Sequence, residues 1–308
     1  MRAYWIEALA MYENSDSSAG PHLPIHDFPG RSGAPGRSVY IQGQLHGNES
    51  GAMLVLHRLR QKLQSHPPAN SVRIVPNANP LGWRRYLESG DGRISANGSN
   101  WNRIFQSPGS EPPLTADQLL AAQLWELSKE YDVIIDAHTP EYGLPHVYAT
   151  DPLTRLLTFD DIPHVFYGQP NHGSFDECHL RLRHGSNSPI ASVTVELPSF
   201  HLPTTDEVDY WADRLYQEIV AQAVPGEHAT SVTLHGQMYD LIASIDGACI
   251  LRCEPGEVVG AGQPIIDIVS RAGEVSTLCA PSACIPVCFR RSTLVRSGYW
   301  ATRAIVLR

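Results

Sequence analysis

Two histidines and two glutamates of this chain stand where short apolar, β-branched runs give out. His46 and Glu49 follow "SVYIQGQ" in the turn "HGNES", His138 closes "YDVIIDAH", and Glu196 lies at the end of "IASVTVELP". Two imidazoles and a carboxylate with a fourth position open make a catalytic zinc shell. A cation held there lowers the pKa of bound water from about 15.7 to about 7 and polarises a carbonyl. A further carboxylate that is not a ligand is then needed as general base and proton shuttle, and Glu196 is the candidate. Asp136 precedes His138 by two residues, so on a strand both point to one face. It could accept the second imidazole N–H and steady the ring. Each residue alone has a plainer reading: a polar turn, a hydrogen-bonded strand-end histidine, a carboxylate paired with arginine. Four of them arriving at strand ends favour the metal.

The elements that must position them are legible as patterns. "SVYIQGQ", "SVRIVPNAN", "YDVIIDAH" and "IASVTVELP" are bounded by turn residues, as buried strands are. After Glu49, the residues Ala52, Val55, Leu56, Leu59 and Leu63 share one helical face. Thr115 with Gln118, and Thr204 with Glu207, have capping-box spacing at the head of two further helical stretches. Strands alternating with helices predict an α/β sheet flanked by helices, whose ligands bind at the carboxyl ends of the strands.

The character changes near residue 226. Beyond it, short strands are punctuated by "DG", "EPGE", "GAGQ" and "RSG" turns. This predicts a catalytic domain over 1–225 and a small all-β domain over 226–308. Its two halves are distantly alike, with "VVGAG" in one and "LVRSG" in the other, and the pattern resembles biotinyl/lipoyl-like barrel-sandwich modules. Those carry their cofactor on a lysine, and this chain's only lysines are Lys62 and Lys129, so a swinging arm is excluded.

Charge and composition bound the partners. The 308 residues are 42% hydrophobic and 18% charged, which is globular. A net charge of −9 gives no broad field for nucleic acid or anionic lipid. The opening "MRAYWIEALAMYENSDSS" has an acidic residue inside its apolar stretch and is not read as a secretory signal. No apolar run approaches the roughly 20 residues of a membrane span. A soluble cytoplasmic protein is expected; homo-oligomerisation is left open. Cys249, Cys253, Cys279, Cys284 and Cys288 lack C-x-x-C spacing and read as small buried thiols in β-structure, as Cys178 stands alone.

Between the strands lies "NANPLGWRRYLESGDGRISANGSNWNRIF", read as a glycine- and asparagine-rich loop with four arginines. Arg84 and Arg85 read as surface residues; Arg93 and Arg103 are the functional candidates, since a guanidinium offers a bidentate fork to a carboxylate. The stretch "YGQPNHGSFDECHLRLRHG" is read as a pocket wall. Its His172, His179 and His184 are too irregularly spaced for a second metal, while Arg181 and Arg183 could meet an acidic acyl group.

"HGNES", "NPLG", "GR…NWNR.F", "DAH" and "TVEL", in this order, resemble the succinylglutamate desuccinylase/aspartoacylase family, a branch of the zinc-carboxypeptidase-like fold, over roughly residues 35–225. The resemblance implies one Zn2+ per chain on His46, Glu49 and His138, with Glu196 activating water. It implies that Arg93 steadies the oxyanion and that Asn102 with Arg103 holds the substrate carboxylate. Arg93 is preferred to Arg85 because "GR" leads directly into "NWNR". The expected activity is hydrolysis of the amide of a small N-acyl amino acid. A metallocarboxypeptidase would use the same residues, and a non-catalytic binding protein would lack stoichiometric metal.

Overall fold

The computed structural model describes residues 22–31, 36–105, 115–139, 142–149, 162, 164–167, 173–182, 191–198, 203–221, 233–235, 238–289 and 294–307. The opening segment read for a signal, the break around Pro225, His172, Arg183 and His184 lie outside the described residues, as does the side chain of Arg181.

One sheet has eight strands: β1 (His26–Phe28), β2 (Val39–Gly43), β3 (Val72–Val75), β4 (Val133–His138), β6 (His146–Ala149), β7 (His164–Tyr167), β8 (Ala191–Glu196) and β9 (Thr233–His235). They lie in the order β1-β3-β2-β4-β8-β6-β7-β9. The central β3, β2, β4 and β8 are parallel, β1 is antiparallel to β3, and β6 is antiparallel to β8. The sheet is therefore mixed and mainly parallel, as expected.

Strand alternation sorts the core into two faces. Val39, Ile41, Val133, Ile135, Ala137, Val193 and Val195 pack on α1 (Ser50–Ser65) and α5 (Thr205–Ala221), through Val55, Leu56 and Leu59 of the first and Trp211 and Leu215 of the second. Tyr40 and Ile134 face the other way, onto Trp101, Phe105, Leu120, Leu124 and Phe175. These come from a 3-10 turn (Trp101–Arg103), from α3 (Ala116–Ser128) and from α4 (Phe175–Leu182). Asp136 and His138 share parity with Ile134 and so belong to this second face. Burying one such apolar side chain contributes about 1.5–3 kcal/mol. A one-residue slip of β4 would expose that whole set and turn His138 toward α1, so packing fixes the register.

Two stretches read without helix contain one. α2 (Pro80–Ser89) begins with Asn79 accepting from Gly82 N and Pro80 in its first turn, and ends on Gly90 at φ 76°. The order Asn-Pro, then glycine, is a start-and-stop signal that the loop-like composition obscured. α4 spans eight residues, too few for periodicity to show.

Beyond the large sheet lie two antiparallel four-stranded sheets. One orders β10 (Tyr239–Ile242), β16 (Trp300–Val306), β14 (Cys284–Phe289) and β5 (Tyr142–Gly143); the other orders β13 (Val275–Cys279), β12 (Pro264–Val269), β11 (Gly247–Leu251) and β15 (Leu294–Val295). They enclose Ile265, Ile266, Ile268, Phe289, Ala301 and Ala304 together with Cys253 and Cys284. All six cysteines are free thiols. The glycines of "GAGQ" and "RSG", Gly262 and Gly298, both turn at positive φ, 77° and 82°. Two short strands join segments distant in sequence: β5 pairs with β14, and β9 pairs with β7. Among the described residues no helix is long and apolar enough to cross a membrane.

Candidate metal centre and active site

The turn that carries His46 and Glu49 is built on close backbone approaches. Gln44 turns the chain at φ 55°, and its side-chain amide donates to Gly47 O at 3.1 Å. A Cβ on Gly47 would lie 2.1 Å from the backbone of Gly82, and one on Gly92 would lie 2.5 Å from Asn48 N. Gly47 N donates to Gly92 O at 2.7 Å. The glycines of "NPLG" and "DGR" are thus the surfaces on which "HGNES" rests. Asn79 links both parts by donating to Leu45 O at 2.8 Å while capping α2.

So held, the three expected ligands converge. His46, Glu49 and His138 are buried, and each offers one ligand atom within 4.8 Å of the others. His46 Nδ1 lies 2.8 Å from Glu49 Oε1, and His138 Nδ1 lies 2.7 Å from Glu49 Oε2. Their outer nitrogens meet acceptors: Asn100 Oδ1, 2.9 Å from His46 Nε2, and Asp136 Oδ2, 2.8 Å from His138 Nε2. Asn100 Oδ1 also accepts from Asn102 N at 2.8 Å, which fixes that atom as the oxygen. Each Nε2 is therefore the protonated nitrogen, and each Nδ1 presents a lone pair toward a carboxylate oxygen. Opposed acceptors at such distances require a positive charge between them. The chemistry of the donor set thus fits a divalent cation.

The electrostatics say the same. Burial drives the His46 imidazole down to about 4, with Arg93 adding to the effect against Glu49. Burial works to lower His138 as well, but Asp136 and Glu49 outweigh it and hold that imidazole well above its usual value. Burial also opposes ionised Glu49, yet the two imidazoles prevail and keep its carboxyl well below the usual range.

Glu196 stands beside this cluster. It is the register partner of His138 on β4 and of His146 on β6. Its Oε2 is buried and has no hydrogen-bond partner among the described residues. Burial raises its pKa to about 7, against the pull of His138, Arg93 and Arg303 and with a push from Glu49. A carboxylate with one free oxygen and a pKa near neutrality is suited to taking and returning a proton.

Arg93, one-third exposed, donates to Glu49 Oε1 at 3.0 Å, while Arg85 lies on α2. Asn102 accepts from Phe175 N at 2.9 Å, leaving its amide nitrogen 3.4 Å from His138 Nε2. Arg103 donates to Asn102 O at 2.5 Å; burial lowers its pKa, and Arg93 acts in the same direction. Sequence reasoning missed Asn100, Tyr148 and Arg303. Arg303, on β16, donates to Tyr148 Oη at 3.4 Å and to Asp240 Oδ1 at 2.9 Å, so the C-terminal sheet reaches the rim of the site. No local motif announces that contact. His179 stacks on Trp125 at 4.5 Å and meets Ser128 Oγ at 2.9 Å, so it serves the packing of α4 on α3. Among the described residues no second group of three potential metal ligands occurs.

Sheet order and the antiparallel module define a zinc-carboxypeptidase-like fold with an added all-β unit. Residues 35–159 match the model of the succinylglutamate desuccinylase/aspartoacylase catalytic domain. Solved structures agree in fold. A succinylglutamate desuccinylase/aspartoacylase family protein from Shewanella amazonensis SB2B superposes with a TM-score of 0.79 at 20% identity, covering 94% of this chain and 96% of that one. The product-bound ectoine utilization protein EutE (DoeB) from Ruegeria pomeroyi gives 0.74 at 18% identity, covering 92% and 88%. A succinylglutamate desuccinylase/aspartoacylase from Rhodobacter sphaeroides gives 0.71 at 20%, covering 95% and 92%. No curated protein matches the chain in sequence.

Proposed function

We propose that the protein is a zinc-dependent amidohydrolase that removes the acyl group from a small N-acyl amino acid or a related molecule. The observation that carries this reading is the convergence of His46 Nδ1, His138 Nδ1 and the Glu49 carboxylate, buried ligand atoms that lie within 4.8 Å of one another. One zinc on these three groups would supply Lewis acidity, making water a nucleophile near neutral pH and polarising the scissile carbonyl. Glu196 takes the proton of the attacking water and returns it to the leaving amine. Arg93, at the open side of the cluster, faces the negative charge that develops on the carbonyl oxygen. Asn102 and Arg103 hold the substrate carboxylate, with Arg103 as the bidentate partner. The N-acyl amino acid is supported by the kinship with the family and by the deacylase names of the structural neighbours.

The division into a catalytic domain over 1–225 and a β domain over 226–308 belongs to the same proposal, with β5 and β9 as exchanged strands and Arg303 as the β domain's contribution to the pocket rim. A panel of N-acyl amino acids and short peptides, assayed with and without a chelator, tests the reading. Chelator-sensitive release of the acyl group from N-acyl amino acids is expected. Preferential cleavage of peptide C-termini would make the protein a carboxypeptidase, and turnover by Glu196→Gln at the wild-type rate would overturn the mechanism.

A further inference from the structure

Gln42 is a polar residue in the middle of a wholly buried strand, with no accessible surface at all. It is the register partner of Asp136 across β2 and β4, and its side-chain nitrogen donates to Asp136 Oδ1 at 3.0 Å. Tyr40, two residues earlier on the same face and equally buried, donates its hydroxyl to Gln42 Oε1 at 2.9 Å. The directions are forced: an ionised carboxylate only accepts, so the amide nitrogen faces Asp136 and the amide oxygen faces the phenol. Burial raises the Tyr40 pKa well above its usual value, which keeps that hydroxyl a donor. One oxygen of Asp136 is thereby committed to Gln42, and the other lies 2.8 Å from His138 Nε2.

From this geometry we infer that Gln42 and Tyr40 are positioning residues for the metal centre, setting the plane of the Asp136 carboxylate and hence the direction of His138 Nδ1. The inference rests on the metal reading above and deepens it. Packing alone does not account for the pair. Replacing both partners of a buried hydrogen bond by apolar groups of the same shape is close to neutral, and the neighbouring positions Val39 and Ile41 are apolar. A strand that had only to pack could carry such residues at 40 and 42 as well. The chain from Tyr40 to His138 instead links four buried side chains on one sheet face, ending at a ring that must be aimed.

Zinc affinity of the full-length chain, measured by competition with a chromophoric chelator, tests this without recourse to turnover. Gln42→Leu is expected to weaken zinc binding about 10-fold, the lower end of the loss seen when a ligand's own hydrogen-bond partner is removed, since Gln42 stands one bond further out. Tyr40→Phe, which deletes one oxygen, should weaken it in the same direction by a smaller factor, and it decides the matter if Gln42→Leu does not fold. Gln42→Glu keeps the shape but has a donor only when protonated, so its deficit relative to wild type should shrink as pH falls. Ile41→Val, pointing to the opposite face, should lower thermal stability and leave affinity unchanged. Wild-type affinity in both Gln42→Leu and Tyr40→Phe, or an equal loss in Ile41→Val, would overturn the inference. A wild-type chain that binds no zinc would instead remove the reading on which it rests.

Discussion

The strand ends of the large sheet and the interior of the C-terminal sheets bury their residues for different reasons. Around the carboxyl ends of the strands, His46, Glu49, Asp136, His138 and Gln42 are buried polar groups within hydrogen-bonding distance of one another. The interior of the C-terminal unit is built mainly from Ile265, Ile266, Ile268 and the thiols of Cys253 and Cys284, with Asp267 and Thr302 buried beside them. A buried polar group is costly unless fully partnered, whereas apolar packing is tolerant of small change. The contrast teaches where this chain places chemistry and where it places only stability.

That contrast can be broken by substitution. The largest effect is expected for Glu49→Ala, which removes the group shared by both imidazoles: metal content and turnover should both fall to background in a metal assay paired with kinetics. Next comes Glu196→Gln, for which kcat should drop about 10²–10⁴-fold while metal content stays at the wild-type level. Arg103→Ala removes a charge-assisted hydrogen bond to substrate, worth about 1.5–3 kcal/mol, so KM should rise roughly 10–150-fold with kcat little changed. Loss of kcat rather than of KM would shift Arg103 from holding the substrate to acting on the transition state.

The pH profile sharpens the same comparison. Burial raises Glu196 to about 7, and a general base works only when deprotonated. The kcat/KM should therefore fall about tenfold per unit as pH drops below that value and level off above it. A profile flat from pH 5 to 8 would remove Glu196 as the base. Smallest in its effect on catalysis should be Ile266→Ala in the C-terminal unit. It is expected to cost about 2–5 kcal/mol of stability in a denaturant titration while leaving metal content and kcat of the folded protein unchanged.

How much of this was legible in the sequence follows from the range of the interactions. The strand that leads into the turn with His46, and those that end in His138 and Glu196, announce themselves because each is a local apolar run followed by polar residues. The turn glycines Gly47, Gly82 and Gly92 are visible as letters, but their purpose is a mutual approach of three segments that spacing cannot express. The pairings of β5 with β14 and of β9 with β7 were not legible, since two- and three-residue strands carry no period. Asn100, Tyr148 and Arg303 escaped for a related reason: each acts through a contact between distant segments, and an arginine in the last strand reads as a surface residue until its partner on β6 is seen.

The most direct test is the position of the ion itself, read from an anomalous difference map at the zinc edge on crystals of the full-length protein grown with zinc. The account predicts one peak per chain, about 2.0–2.2 Å from His46 Nδ1, His138 Nδ1 and a Glu49 carboxylate oxygen. A fully loaded crystal with no peak between these three groups, or with zinc bound elsewhere on the chain, would contradict it.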